Sequence, residues 1–269
     1  MSNPLMDKLR RIPGEMGRLP SHGIGYEDGV FDDCVTNGDL EVFPVSSYDD
    51  ILLKTPEMLL SGDAIYQVFE RKIPWLKQPQ KLFHKDVDFL LTLLRKVSFG
   101  DDMPVTYNHH CKFNENGEEE SKAHSYIVKL STFINNTKRL DPTKYNDTFM
   151  LDNFKVKINN PLFKDILEIT QITLKMASGE SYDNEKLEKA TCDAISRSIT
   201  SVDDVTDKET IIEWLTNVPS IYRKQIGEEM DNLSKSWGID LTYKVKCRDC
   251  GEEIDLSPTL NPVSFFILP

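Results

Sequence analysis

Apolar residues recur at helical spacing through much of the chain and switch to strict alternation in two shorter stretches. Pro56 suits the first turn of a short helix that Ser61-Gly62 ends, and Ile65, Val68 and Phe69 continue a helical stripe until Pro74 breaks it. From Asp86 onward, Val87, Leu90, Leu91, Leu94 and Val97 form a longer stripe, with Gly100 where a C-terminal cap belongs. Residues 48–103 therefore read as a set of helices that pack together. A second helical region, 161–238, is predicted from three patterns. Leu162, Ile166, Ile169, Thr173 and Met176 share one face, and Leu187, Thr191, Ala194, Ile195 and Ile199 share another. Thr206-x-x-Glu209 is a capping box ahead of Ile211, Trp214, Leu215 and Val218. The last helix opens at Pro219, carries Tyr222, Ile226, Met230, Leu233 and Trp237 on its stripe, and ends at Gly238.

Between these regions the period shortens. Val105-Thr-Tyr107 leads into His109-His110-Cys111, a polar turn spans 114–121, and residues 124–130 are rich in β-branched and aromatic side chains, so 104–160 is expected to be a β-rich hairpin segment. Residues 148–150 and 154–158 add short strands, and Asn159-Asn160-Pro161 marks the break into the next helix. After Gly238, Leu241, Tyr243 and Val245 alternate with Thr242, Lys244 and Lys246, and 252–256 returns as the antiparallel partner. Residues 1–47 are punctuated by glycine and proline without a sustained period and read as an irregular arm. The expected fold is α+β, mainly helical, with a small antiparallel hairpin and a ribbon-like knuckle and tail over 239–269.

Composition narrows the partners. A chain of 269 residues buries a substantial core without disulfides. Its net charge of -12 repels nucleic acid and anionic membranes, so neither is an expected partner. The acidic surface suits solubility or a basic protein partner. Lys8, Arg10 and Arg11 lie near the N-terminus without the apolar core of a signal peptide, and no run approaches the ~20 apolar residues of a membrane span, so a cytosolic protein is expected. Five scattered cysteines, an odd number, argue against a secreted disulfide framework.

Two of those cysteines form Cys247-x-x-Cys250-Gly251, the spacing at which two thiolates share one tetrahedral zinc ion. A closed site needs four ligands, and His109, His110, Cys111 and His124 are the candidates for the others. If Phe113 pairs with Lys122, Cys111 faces His124 with β-carbons ~5 Å apart, giving a Cys247, Cys250, Cys111 and His124 set. The alternatives are zinc shared between subunits of an oligomer, or no metal, with Cys111 a small buried residue and the histidines on the surface. Redox chemistry is disfavoured because this knuckle lies between strands and not at a helix N-terminus. Gly-x-Ser-x-Gly, His-Glu-x-x-His and a Walker pattern are absent, and pairs such as Asp49-Asp50 and Asp101-Asp102 suit turns and helix starts, so no catalytic residue is expected.

The segments Pro56-Glu-Met-Leu-Leu-Ser-Gly-Asp-Ala-Ile65, Ile73-Pro74, Asp86-Val-Asp-Phe-Leu-Leu91 and Leu94-Arg-Lys-Val-Ser-Phe-Gly-Asp-Asp-Met103 resemble the T-even-type phage baseplate hub assembly proteins. Asn261-Pro-Val-Ser-Phe-Phe266 is similar to the ending that follows the zinc-ribbon-like knuckle in that family. The resemblance covers about residues 50 to 160 and 240 to 266. The chain departs from the family pattern at His109-His110-Cys111, where relatives often have Cys-x-x-Cys, and at Arg248, where proline is usual. The resemblance implies an assembly factor acting in the cytoplasm of the infected cell, with no chemical step and with hub and tape-measure proteins as partners. Trp237, Phe265 and Phe266 are the candidate partner contacts, although the diphenylalanine also suits docking on its own domain. A structural hub subunit retained in the virion would share these features. A zinc-ribbon nucleic-acid module would need a basic stripe where Glu252, Glu253 and Asp255 stand.

Overall fold

The computed structural model describes residues 13–112, 119–143, 145–177 and 184–256. They form a mixed α+β fold in which helices carry most of the core and the described strands make four small antiparallel sheets.

The N-terminal arm departs from the irregular segment expected of it. Strand β1 (Glu15–Arg18) pairs antiparallel with β2 (Asp39–Val42), matching Glu15 with Val42 and Arg18 with Asp39. Four-residue strands are too short to show alternation in a glycine-rich stretch. Their packing is nevertheless tight, because a Cβ at Gly17 would lie 2.3 Å from Leu93. Leu19, Val30, Leu40 and Val42 from this arm are buried in the main core.

Three short helices follow. Helix α1 (Ser47–Leu53) begins with a Ser46–Asp49 capping box. Pro56 opens α2 (Pro56–Ser61), and Gly62, at φ 84°, ends it and starts α3 (Asp63–Lys72). A 3-10 turn (Pro79–Lys81) leads to α4 (His84–Phe99), which buries Val87, Phe89, Leu90, Leu91, Leu93 and Leu94. A helix buried on nearly all sides is a central element. Around it pack Leu52, Leu53, Leu59, Ile65, Val68 and Phe69 from α1 to α3.

Strands β3 (Asp102–Lys112) and β4 (Glu119–Lys129) form the long hairpin. Its inner pairs, Met103 with Val128 and Val105 with Tyr126, lie over the core side of the sheet and fix the register. Helix α5 (Leu130–Asn135) starts at the end of β4, where the Asp101 carboxylate accepts from both Ser131 N–H and Oγ–H.

A second core lies over a three-stranded sheet, β5 (Thr148–Leu151), β6 (Phe154–Ile158) and β7 (Ile199–Val202), with β6 in the centre. Helices α6 (Phe163–Ala177) and α7 (Asn184–Ser198) connect β6 to β7. Ile199, expected on a helical stripe, instead opens β7, where its β-branched side chain is fully buried. Helix α8 (Lys208–Asn217) is capped by Asp207, one residue beyond the Thr206 expected from the sequence, because the Asp207 carboxylate accepts from Thr210 N–H at 2.9 Å and Thr210 Oγ–H at 2.7 Å. Ile211 and Leu215 of α8 and Ile226 and Leu233 of α9 (Ser220–Lys235) close this core. The knuckle hairpin of β8 (Tyr243–Lys246) and β9 (Glu253–Leu256) follows.

Candidate functional site

The knuckle is built by backbone geometry first. Cys247 N–H donates to Glu252 O at 2.8 Å, Gly251 N–H donates to Cys247 O at 3.0 Å, and Gly251 takes φ 74°, a left-handed value that favours glycine. The turn therefore places Cys247 inward and Cys250 outward: Cys247 is buried with Tyr126, Ile254 and Leu256, whereas Cys250 is exposed. Through this small cluster the knuckle packs against β4. Arg248 lies over the Tyr126 ring at 5.7 Å, a cation–π contact that adds to the seam.

His124 comes to the same place from β4. Its Nε2 lies 3.7 Å from Cys247 Sγ and 3.9 Å from an Asp249 carboxylate oxygen. Zinc–sulfur and zinc–nitrogen bonds at a tetrahedral angle put two such donors about 3.6 Å apart, so Cys247 and His124 are spaced as two ligands of one ion. Among the described residues, no group of three or more His, Cys, Asp or Glu is arranged to hold a metal. The expected partnership of Cys111 with His124 is corrected by the hairpin register. Cys111 pairs with Glu120 and His124 with Tyr107, a displacement of four residues, or about 13 Å along the strand. The buried Met103–Val128 pair and the Val105–Tyr126 pair, in which Val105 is half-buried, impose this register, and a pairing of Phe113 with Lys122 would pull them apart. Asp249 and Arg248 complete the surroundings of His124 and Tyr126; the sequence offered only their nearness to the cysteines as a signal.

The candidate partner contacts separate as well. Trp237 is 2% exposed, packs edge-on against Phe83 with ring centroids 6.5 Å apart, and donates its indole N–H to Leu233 O at 3.0 Å. It is a core residue and not a surface anchor, because Gly238 at φ 109° turns the chain back to bond Lys138 in both directions and carries the indole inward. Phe265 and Phe266 lie outside the described residues. Large apolar side chains that do reach the surface include Tyr48 and Ile51, three residues apart on one face of α1, with Ile127 of β4 and Met150 of β5. Among the described residues no helix is long and apolar enough to cross a membrane.

Comparison with curated proteins and with solved structures finds no match. A family profile described as T4 bacteriophage base plate protein matches residues 33–267, which takes in the second core, the hairpin, the knuckle and all of the main core but the arm residues before 33. The chain belongs to the T4 bacteriophage base plate protein family.

Proposed function

We propose that this baseplate-family protein is an assembly factor for the baseplate hub, which binds a hub or tape-measure component in the host cytoplasm, covers its apolar surface and delivers it to the growing baseplate. The family match over 33–267 supports the baseplate part of this reading. The resemblance of residues 56–103 and 261–266 to hub assembly proteins narrows it from baseplate to hub. Exposed Tyr48, Ile51, Ile127 and Met150 supply apolar contact area for a protein partner. Co-expression of the tagged chain with each hub and tape-measure protein of its phage, pull-down, and quantitation in purified particles test it. A soluble complex with one of them and absence from finished particles is the expected result. A fixed copy number in particles would make the chain a structural subunit instead.

A second reading concerns the knuckle, and one distance favours it. We propose that Cys247 and His124, whose separation of 3.7 Å suits two ligands of one ion, hold a structural zinc ion that ties the C-terminal hairpin to β4, with Cys250, exposed in this structure, turning inward as a third ligand. Such an ion would supply no reaction; it would fix the hairpin. Metal analysis of the purified protein should give about one zinc per chain, lost in Cys250→Ser. A chain purified without zinc whose melting is indifferent to chelator overturns this second reading.

A further inference from the structure

A cavity of about 550 Å³ opens where the arm, the start of α4, the β6–α6 connection, α7 and α8 meet. Its apolar wall is rigid. Tyr26 stacks on Phe83 with ring centroids 4.0 Å apart, and the Tyr26 hydroxyl donates to an Asp86 carboxylate oxygen at 2.7 Å while accepting from Phe83 N–H at 2.9 Å. Its polar floor is unfinished. Asn160 lines the cavity, is 3% exposed, and has no protein partner for either Nδ2 or Oδ1. The adjacent Asn159 is fully engaged: its Nδ2 donates to Gly25 O at 2.7 Å and its Oδ1 accepts from Asn160 N–H at 2.8 Å. An enclosed amide without partners is unfavourable, which makes Asn160 the group in this wall that a ligand would complete.

Charge adds a second constraint. Lys81, Lys164, Arg197 and Lys208 line the cavity against Glu27 and Asp193, a local excess of cations in a chain whose net charge is -12. Arg197 is committed to Asp165 and Glu168. Lys208 donates to the Ser196, Arg197 and Ile199 carbonyls where α7 meets β7. Among the described residues Lys81 alone bonds Glu27, at 2.6 Å, and that hydrogen bond, then the Lys81 charge, with the charges of Lys208 and Lys164 adding, hold the Glu27 carboxyl below its ordinary range. Glu27 is largely exposed and sits on a loop, so it occupies a carboxylate position that an incoming acid can take over.

We infer that this cavity receives an extended acidic segment of the hub or tape-measure partner, one of whose peptide groups bonds the Asn160 amide while a neighbouring Asp or Glu displaces Glu27 from Lys81 and gains the charge of Lys164. A side-chain amide offers a coplanar donor and acceptor matched to the C=O and N–H of a peptide, and an apolar side chain of the segment packs on the Tyr26–Phe83 pair. The inference rests on the assembly-factor reading for the identity of the partner. Fluorescent peptides tiling the hub and tape-measure proteins, titrated into the full chain and followed by anisotropy, test it. Binding is expected only for peptides with Asp or Glu beside an apolar residue. Exposed Lys164, changed to Glu, should weaken that binding about tenfold, and Glu27→Gln should strengthen it several-fold. Asn160→Leu should abolish binding in a chain whose circular dichroism is unchanged; if that variant does not fold, the opposite effects at Lys164 and Glu27 still decide. Absence of any binding peptide, or binding indifferent to Lys164→Glu and Glu27→Gln, overturns the inference. A full-length hub complex that forms equally well with these variants removes the cavity and leaves the assembly reading standing. Acidic peptides bound at the cavity with no full-length complex would remove the assembly reading instead.

Discussion

Asp49 is 1% exposed, yet charged, because its surroundings are built for a carboxylate. Burial opposes ionisation, but Ser46 Oγ–H at 2.6 Å, Ser46 N–H at 2.8 Å and Lys72 Nζ at 2.9 Å outweigh it and hold the carboxyl at about 2, with Arg71 adding a further contact at 2.7 Å. A carboxyl held below its ordinary value of 3.8 stabilises the fold above that value and loses the contribution as pH falls through about 2. Asp49→Asn should therefore cost about 1–3 kcal/mol at neutral pH in urea denaturation, and the gap from wild type should shrink toward pH 2. Asp86 has the opposite sign. Burial raises it to about 6, and the bonds from Ser21 and Tyr26 offset this only in part. The folded chain then holds a proton that the unfolded chain has released, so the contribution of Asp86 to stability falls as pH rises from about 4 through about 6. Asp86→Asn, which cannot titrate, should make stability flatter across that window, as denaturation at about pH 4, 5, 6 and 7 would show. Neither role is legible in the sequence, where Asp49 looks like one of several acidic pairs.

Elements were legible where their punctuation was. Pro56, Gly62 and Gly100 mark the helix boundaries around the main core, and the long stripe of α4 predicts its central place, because an apolar helix of that length has to be covered. Gly62 also meets a requirement no pattern reveals. It serves two helices at once with φ 84°, and a Cβ there would lie 2.6 Å from Leu167 of α6. Gly62→Ala should cost about 2–4 kcal/mol, the sum of a left-handed backbone and overpacking, whereas Gly251→Ala, at φ 74° with nothing within 4 Å, should cost about 1 kcal/mol. Equal losses in thermal denaturation would show that the α2–α6 contact is loose. The register of β3 and β4 escaped sequence reasoning for a different reason. The polar sequence between the two strands did not lead to the right pairing; the residues packed at the open end of the hairpin set it, and their burial depends on α4 and α5.

At the scale of the whole molecule, what the sequence shows least is what distant segments build together. Cys247 and His124 meet across 123 positions and could be named together in the sequence only as donors of suitable chemistry, and the Asn160 cavity draws its walls from the arm through α8. Neither arrangement has a local period or spacing to betray it, whereas Cys247-x-x-Cys250 does. Trp237 shows the same limit from the other side: its spacing places it on the α9 stripe with Leu233, but the fold takes it off that stripe into a cluster with Phe83 and Leu140, against which Tyr26, Tyr145 and Leu162 pack. That cluster lies among the arm, the start of α4, the start of α6 and the end of α9, and so joins the two main cores. Trp237→Ala should therefore cost about 3–5 kcal/mol, and should do so for both cores together, giving one denaturation transition at lower urea and not the loss of a single helix. Trp237→Phe keeps a ring against Phe83 while removing the bond to Leu233 O, and should retain most of the stability and all of the binding to the proposed hub partner. A Phe variant that stayed folded but lost that binding would show that the indole, buried in the free chain, turns outward to the partner in the complex.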